Sequence, residues 1–217
     1  MSDIFDEVDE AVRREQFIKL WERYGYLMIA VAVLIVVGVA LWRGYDYWQT
    51  KKAADLGAQF TSAAILAEEG KHQEAEQAFA RIAAQGTAGY RVLARLREAA
   101  ELAQRDPKAA VAIYDELSAS SATAQPLRDL AALRAAMLLS DTAPFAELSR
   151  RLEPLAAAGA PFRHTARELL AFAAWKAGDT AAVQKWSQLI REDPDTPPAL
   201  RDRIDILTAV AGEDRKS

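Results

Sequence analysis

Three patterns of apolar and polar positions follow one another along the chain. Between Ser2 and Arg23, seven acids and four bases surround Ile4, Phe5, Val8, Val12, Phe17, Leu20 and Trp21. That spacing predicts an amphipathic helix entered through Ser2 or Asp3 as a cap. Then come 19 consecutive uncharged residues, YGYLMIAVAVLIVVGVALW, bounded by Arg23 and Arg43. As a helix they span roughly 28 Å, close to the ~30 Å hydrocarbon core of a bilayer. After Lys52 the pattern changes again, to Ala-rich stretches with Leu, Arg and Glu in which β-branched residues are sparse and no period-2 strand stands out. Residues 53–217 therefore read as all-helical.

The edges of the uncharged run support a membrane span at 24–42. Trp21, Tyr24 and Tyr26 open it and Trp42, Tyr45, Tyr47 and Trp48 close it, so three of five Trp and four of six Tyr fall within residues 21–48. Amphipathic rings belong at the headgroup level, and a helix in a soluble core has no reason to gather them at both ends. The run begins more than twenty residues into the chain and exits through Trp42-Arg43-Gly44-Tyr45 with no small-x-small cleavage site, which points to an uncleaved signal anchor. Arg14, Lys19 and Arg23 on one side balance Arg43, Lys51 and Lys52 on the other, and Arg13 tips the count only slightly towards a cytoplasmic N-terminus. The expected organisation is a tail at 1–23, the span at 24–42, a linker at 43–52 and a helical domain at 53–217.

Within that domain, breaks at Gly70, 85–89, Asp106-Pro107, 120–126, 141–144, 159–161, Gly178-Asp179 and 193–198 delimit about nine helices of roughly 12 to 18 residues. They repeat in pairs. One helix type carries a large residue, then Arg, then small residues at +4 and +9: Tyr90-Arg91 with Ala94 and Ala99, Leu127-Arg128 with Ala131 and Ala136, Phe162-Arg163 with Ala166 and Ala171. A weaker version precedes them (Ala53, Gly57, Ser62) and another follows (Leu200-Arg201, Ile204, Ala209). The second helix type carries core residues at i, i+4 and i+7: Ala75, Phe79, Ile82; Ala110, Tyr114, Leu117; Leu148, Leu152, Leu155; Ala182, Trp186, Leu189. A period of 34 to 38 residues, two helices per unit and small residues at close approaches predict a tetratricopeptide-like solenoid. About four units and a terminal helix are expected.

Composition narrows the chemistry. The chain has no Cys, which removes disulfides, thiol catalysis and iron–sulfur clusters, and its net charge of −4 argues against a generic nucleic-acid binder. The two His are far apart, and His164 with Glu168 at i, i+4 supplies two ligands at most, so no metal site or cofactor is expected. No P-loop, GxGxxG or GxSxG motif occurs, and no enzyme activity is expected. Arg91, Arg128, Arg163 and Arg201 recur at one position of each unit. They are candidate partner-binding residues on one face, with ordinary inter-helix ion pairs as the competing reading.

The stretches DIFDEVDEAVRREQFIKLWERYG at 3–25, the adjoining apolar run, LRDLAALRAAMLL at 127–139, PFRHTARELLAFAAWKAGD from 161 and LIREDPDTPPALRDR to 203 resemble the YfgM-type family. That family comprises ancillary subunits of the SecYEG translocon. The resemblance implies a single-pass bacterial inner-membrane protein with a cytoplasmic N-terminus and a periplasmic repeat domain. It also implies partners in SecYEG, the membrane-anchored periplasmic chaperone PpiD and unfolded secreted polypeptides, and it supplies no catalytic residues. The chain departs from a regular tetratricopeptide pattern in its small first unit and irregular loops. On residues alone, an envelope-stress regulator acting through the cytoplasmic tail, or a scaffold for envelope enzyme assembly, stays open beside a translocon adaptor.

Overall fold

The computed structural model describes residues 3–213, with side chains described from Trp21 onward except Glu22 and Glu213. The predicted cap at Ser2 and the apolar face at Ile4 to Leu20 lie outside the described residues or side chains. Among the described residues the structure is all helical: α1 (Asp3–Glu68), α2 (His72–Gln85), α3 (Ala88–Leu102), α4 (Pro107–Ala119), α5 (Gln125–Leu139), α6 (Phe145–Leu152), α7 (Arg163–Lys176), α8 (Thr180–Glu192) and α9 (Pro198–Glu213), with a 3-10 turn at Glu153–Ala156. The chain divides into two compact units, Met1–Asp55 and Leu56–Ser217.

In the first unit, the stretch from Tyr26 to Trp42 is exposed along its whole length, with Leu34 at 70% and Leu41 at 71%. This helix is long and apolar enough to cross a membrane. Trp21, Tyr24, Tyr26, Trp42, Tyr45, Tyr47 and Trp48 are all exposed at its two ends. Residues 43–52, expected as a linker, are helical within α1. The reason is local. Gly44 is the only helix breaker there, costing about 1 kcal/mol, while re-nucleating a second helix costs more than continuing the first. Pairs one turn apart support it, with Gln49 Nε2 donating to Tyr45 Oη at 2.6 Å and Lys52 Nζ 5.5 Å from the Trp48 ring centre.

In the second unit, helices alternate between the two types read from the sequence. The first-type helices are the end of α1, then α3, α5, α7 and α9, and the second-type helices are α2, α4, α6 and α8. The turns follow from their residues. Gly70 and Gly178 adopt φ of +76° and +73°, open to glycine without strain, and the amide after each reaches back five residues, Lys71 to Leu66 O and Asp179 to Ala174 O, both at 2.9 Å. Asp106 and Asp179 start α4 and α8 by accepting from Ala109 N at 3.0 Å and Ala182 N at 2.9 Å.

The core is a series of clusters along the stack. Ala94, Ala99, Ala131, Ala136, Ala166 and Ala171 are fully enclosed, as expected where first helices meet their neighbours. Gly57, though only half-buried, marks a close approach of the same kind, since a Cβ there would stand 2.9 Å from Tyr90 Oη. On the second helices, Ala75, Phe79 and Ile82, then Ala110, Tyr114 and Leu117, then Leu148, Leu152 and Leu155 are all buried.

The ends differ from the pattern. In α1, Leu56 and Ala63 are buried while Ser62 is exposed. In α9, Ile204 is buried with Leu207 and Ala211, while Ala209 is exposed. A terminal helix of the stack has a neighbour on one flank only and needs one contact face. In α8, the buried set is Val183, Trp186, Ser187 and Ile190, with Ala182 and Leu189 half-buried, because α8 packs against α9 as well as α7. Finally, α6 is eight residues long, shorter than expected. Pro154 has no N–H to give Arg150 O, so the chain tightens into the 3-10 turn, which keeps Leu155 buried.

Candidate interaction surface

The recurring arginines do not form a row of equivalent free groups. Arg163 and Arg167 lie one turn apart at the start of α7, and both reach the loop between α8 and α9. Asp193 Oδ2 accepts from Arg163 Nε at 2.6 Å and Arg167 Nη1 at 2.8 Å, while Oδ1 accepts from Arg163 Nη2 at 3.2 Å and the Asp195 amide at 3.1 Å. Arg163 also holds Asp195 at 2.8 Å. Arg167 is 96% buried and completes its bonding with Ala156 O at 2.9 Å and Leu189 O at 3.0 Å. Arg201, from α9, donates to Asp193 O at 3.0 Å and Pro194 O at 3.2 Å.

These contacts account for the electrostatics. The Arg163 guanidinium, helped by the Asp195 amide and Arg167, holds the Asp193 carboxyl well below the ordinary carboxylate range. His164 stands beside them. Thr196 has one hydroxyl proton, and it goes to Ile190 O at 2.8 Å, so His164 Nδ1 carries the proton that bridges the 3.1 Å to Thr196 Oγ1. Burial, followed by the Arg163 charge, pushes the His164 imidazolium below its ordinary value, which keeps the ring neutral. The sequence offered His164 with Glu168 as a two-residue ligand pair. In the structure Glu168 is held by Arg203 at 2.6 and 3.0 Å. Among the described residues, no three His, Asp or Glu side chains stand close enough together to hold a metal ion.

Arg91 and Arg128 differ from Arg163 and Arg201. Arg91 is exposed, with a 3.5 Å contact to Gly86 O, and Arg128 is half-buried and donates to Gln125 on its own helix. Arg91 borders a cleft of about 420 Å³ between α2, α3 and α4, walled by Ala80, Ala83, Val92 and Leu117. Arg95, on α3, meets Glu98 on its own helix at 3.0 Å and reaches Glu116 on α4 at 2.8 Å.

Sequence reasoning missed Arg167 and Asp193. Its only signal for them was a carboxylate in a Pro-rich loop some thirty residues beyond two arginines at helical spacing, which many surface charges imitate. It also missed a set of ion pairs spaced by one repeat: Arg151 with Asp115 at 2.6 Å, Lys176 with Asp141 at 2.8 Å and Arg203 with Glu168 at 2.6 Å.

Among known proteins, the family model described as a tetratricopeptide repeat-like domain matches residues 19–190, ending before Asp193 and α9. No curated protein and no solved structure matches the chain.

Proposed function

Because this chain belongs to the tetratricopeptide repeat-like domain family, whose stacked helices serve protein–protein contacts, we propose that it is a membrane-anchored, non-enzymatic adaptor beside the SecYEG translocon. In this reading α1 crosses the bacterial inner membrane at residues 24–42, with the tail cytoplasmic and the repeat domain periplasmic. The repeats hold the membrane-anchored chaperone PpiD or a secreted chain as it emerges. One observation carries the reading: a helix stretch with exposed apolar side chains and a stacked helical repeat domain occur on one chain. The resemblance to the YfgM-type family supplies the identity of the partners. Anchoring both partners in one membrane raises their effective concentration without requiring new contacts.

Of the four recurring arginines, Arg91 and Arg128 are the two that do not reach the α8–α9 loop, and they are the contact residues in this reading. Arg163 and Arg201 serve by holding the α8–α9 loop. Photoreactive residues at positions 91 and 128, in native membranes, are expected to crosslink to translocon subunits or to the chaperone. Crosslinks to neither would remove the adaptor reading.

A further inference from the structure

One acid of the repeat domain stands where the neighbouring units place core residues. Eight positions after the leading large residue of each regular unit, Tyr90, Leu127 and Phe162, come Glu98 on α3, Ala135 on α5 and Leu170 on α7. Ala135 and Leu170 are fully enclosed. Glu98 is enclosed too, at 9% exposed, yet it carries a carboxylate into that place. A buried carboxylate destabilises a fold unless its lone pairs are met. Only part of this one is met. Oε1 accepts from Arg95 Nη1 at 3.0 Å, whereas Oε2 is buried and accepts no hydrogen bond among the described residues.

The register also shows why Arg95 does not complete the pair. Arg95 on α3 and Arg167 on α7 both stand five positions after their unit's leading residue. Arg167 turns inward onto Asp193 and two carbonyl oxygens. Arg95 instead divides its guanidinium between Glu98 and Glu116, at 3.0 and 2.8 Å. One cation against two acids leaves this trio with a negative charge in excess. All three line the cleft of about 420 Å³ between α2, α3 and α4, and Ala80, Ala83, Val92 and Leu117 make apolar walls for it. Arg91, the other charged residue of the lining, stands seven residues from Glu98, roughly 10 Å along the helix.

The cleft lies in the size range of pockets for small organic molecules, and its lining specifies which kind. An ionised carboxylate only accepts, so the partner that Oε2 lacks is a donor. The excess negative charge favours a donor that is itself a cation, and the alanine, valine and leucine walls favour a short apolar body. The last torsion of a glutamate is soft, so the carboxyl can turn Oε2 towards a donor entering from the cleft without moving α3. Among the described residues no third acid or His joins Glu98 and Glu116 to hold a metal ion.

We infer that the cleft between α2, α3 and α4 binds a small primary organic ammonium ion. Its N–H groups donate to Glu98, and its apolar body lies against Ala83, Val92 and Leu117. A quaternary ammonium has the charge without a proton to donate, and an alcohol has the proton without the charge. The site stands apart from the adaptor reading, which needs no small molecule.

The test uses the full chain in nanodiscs of zwitterionic lipid and three probes that share one apolar body: isoamylammonium, its N,N,N-trimethyl form and isoamyl alcohol. Titrations at constant ionic strength are read by ligand-observed NMR against empty nanodiscs. Isoamylammonium is expected to bind about tenfold or more tightly than either of the others. Glu98→Gln keeps the shape and removes the charge, and is expected to weaken isoamylammonium about tenfold or more while melting no lower than the parent chain. Ala83→Leu keeps the carboxylate and fills the cleft, and is expected to weaken the same probe to a similar degree in a folded chain. If Glu98→Gln fails to fold, Ala83→Leu and the ranking of the three probes still decide. Equal binding of isoamylammonium and its trimethyl form, no saturable binding, or undiminished binding in either folded variant overturns the inference. Crosslinks at positions 91 and 128 bear only on the adaptor, and the probe ranking bears only on this site.

Discussion

The two ends of the repeat domain use the same ingredients differently. From α5 to α9 the helices share one continuous cluster around Leu152, Leu170, Ile190 and Ile204, and the arginines at the start of α7 are drawn inward onto Asp193. From α1 to the near face of α5 the buried residues fall into two smaller clusters with many alanines, a cleft of about 420 Å³ stays open, and Glu98 Oε2 is buried without a hydrogen-bond partner among the described residues. At one end charge draws a loop onto the helices, and at the other the Arg95–Glu116 pair stands beside a cleft that stays open. The difference tracks the irregular α8–α9 loop: its prolines prevent it from continuing a helix, and its backbone and carboxylates are satisfied instead by side chains from α7 and α9.

The sharpest way to break this comparison is to replace one buried arginine and one exposed arginine. Arg167→Met is expected to cost about 3 kcal/mol, because it leaves Asp193, Ala156 O and Leu189 O short of a donor in a buried place. Arg91→Met, at the open end, is expected to stay within about 0.5 kcal/mol. Urea denaturation of the two variants measures both, and equal losses would show that the two ends are equally closed. Packing gives the next largest effect. Ala136→Leu, at a fully enclosed position of the large cluster, is expected to cost about 2 kcal/mol through overpacking. Ala83→Leu, at the wall of the cleft, is expected to be accommodated within about 0.5 kcal/mol. Melting curves of the pair report whether the cleft is spare volume.

The smallest expected effect depends on pH. The folded state disfavours protonated His164, so its contribution is fully present above the ordinary value of 6.5 and declines as pH falls through that value towards the lower folded one. His164→Gln is expected to flatten the melting temperature between about pH 7 and pH 5 relative to the parent chain. An unchanged slope would assign the acid sensitivity elsewhere. Asp193 acts in the same direction at lower pH, since its depressed carboxyl stays ionised until the medium is strongly acidic.

Much of this architecture could be read from the residues. The alanines at +4 and +9 are enclosed in all three regular units, and the helix breaks fall where Gly, Asp and Pro predicted them, because both depend on local backbone preference and one neighbour. Ser62, Ala209 and the α8 face were misread because a residue's burial there depends on which helix lies on the far side, and the pattern within one helix cannot say. The helix runs on through 43–52 because ten residues without Pro leave it no reason to stop. The Asp193 cluster was invisible for a different reason. Of 27 cations and 31 acids, only folding decides which pairs meet, and Arg163 and Arg201 share a sequence position with Arg91 and Arg128 without sharing their surroundings.

The ion pairs one repeat apart bear on how the domain is assembled in time. In each of the three, the acid comes first in the chain: Asp115 before Arg151, Asp141 before Lys176, Glu168 before Arg203. A chain delivered from its N-terminus therefore presents each finished unit with an unmatched carboxylate, and the next unit brings the cation that meets it. At these three joints, each addition closes a charge left by the helices before it. Loss of one unit would leave an acid and a cation stranded on either side of the gap.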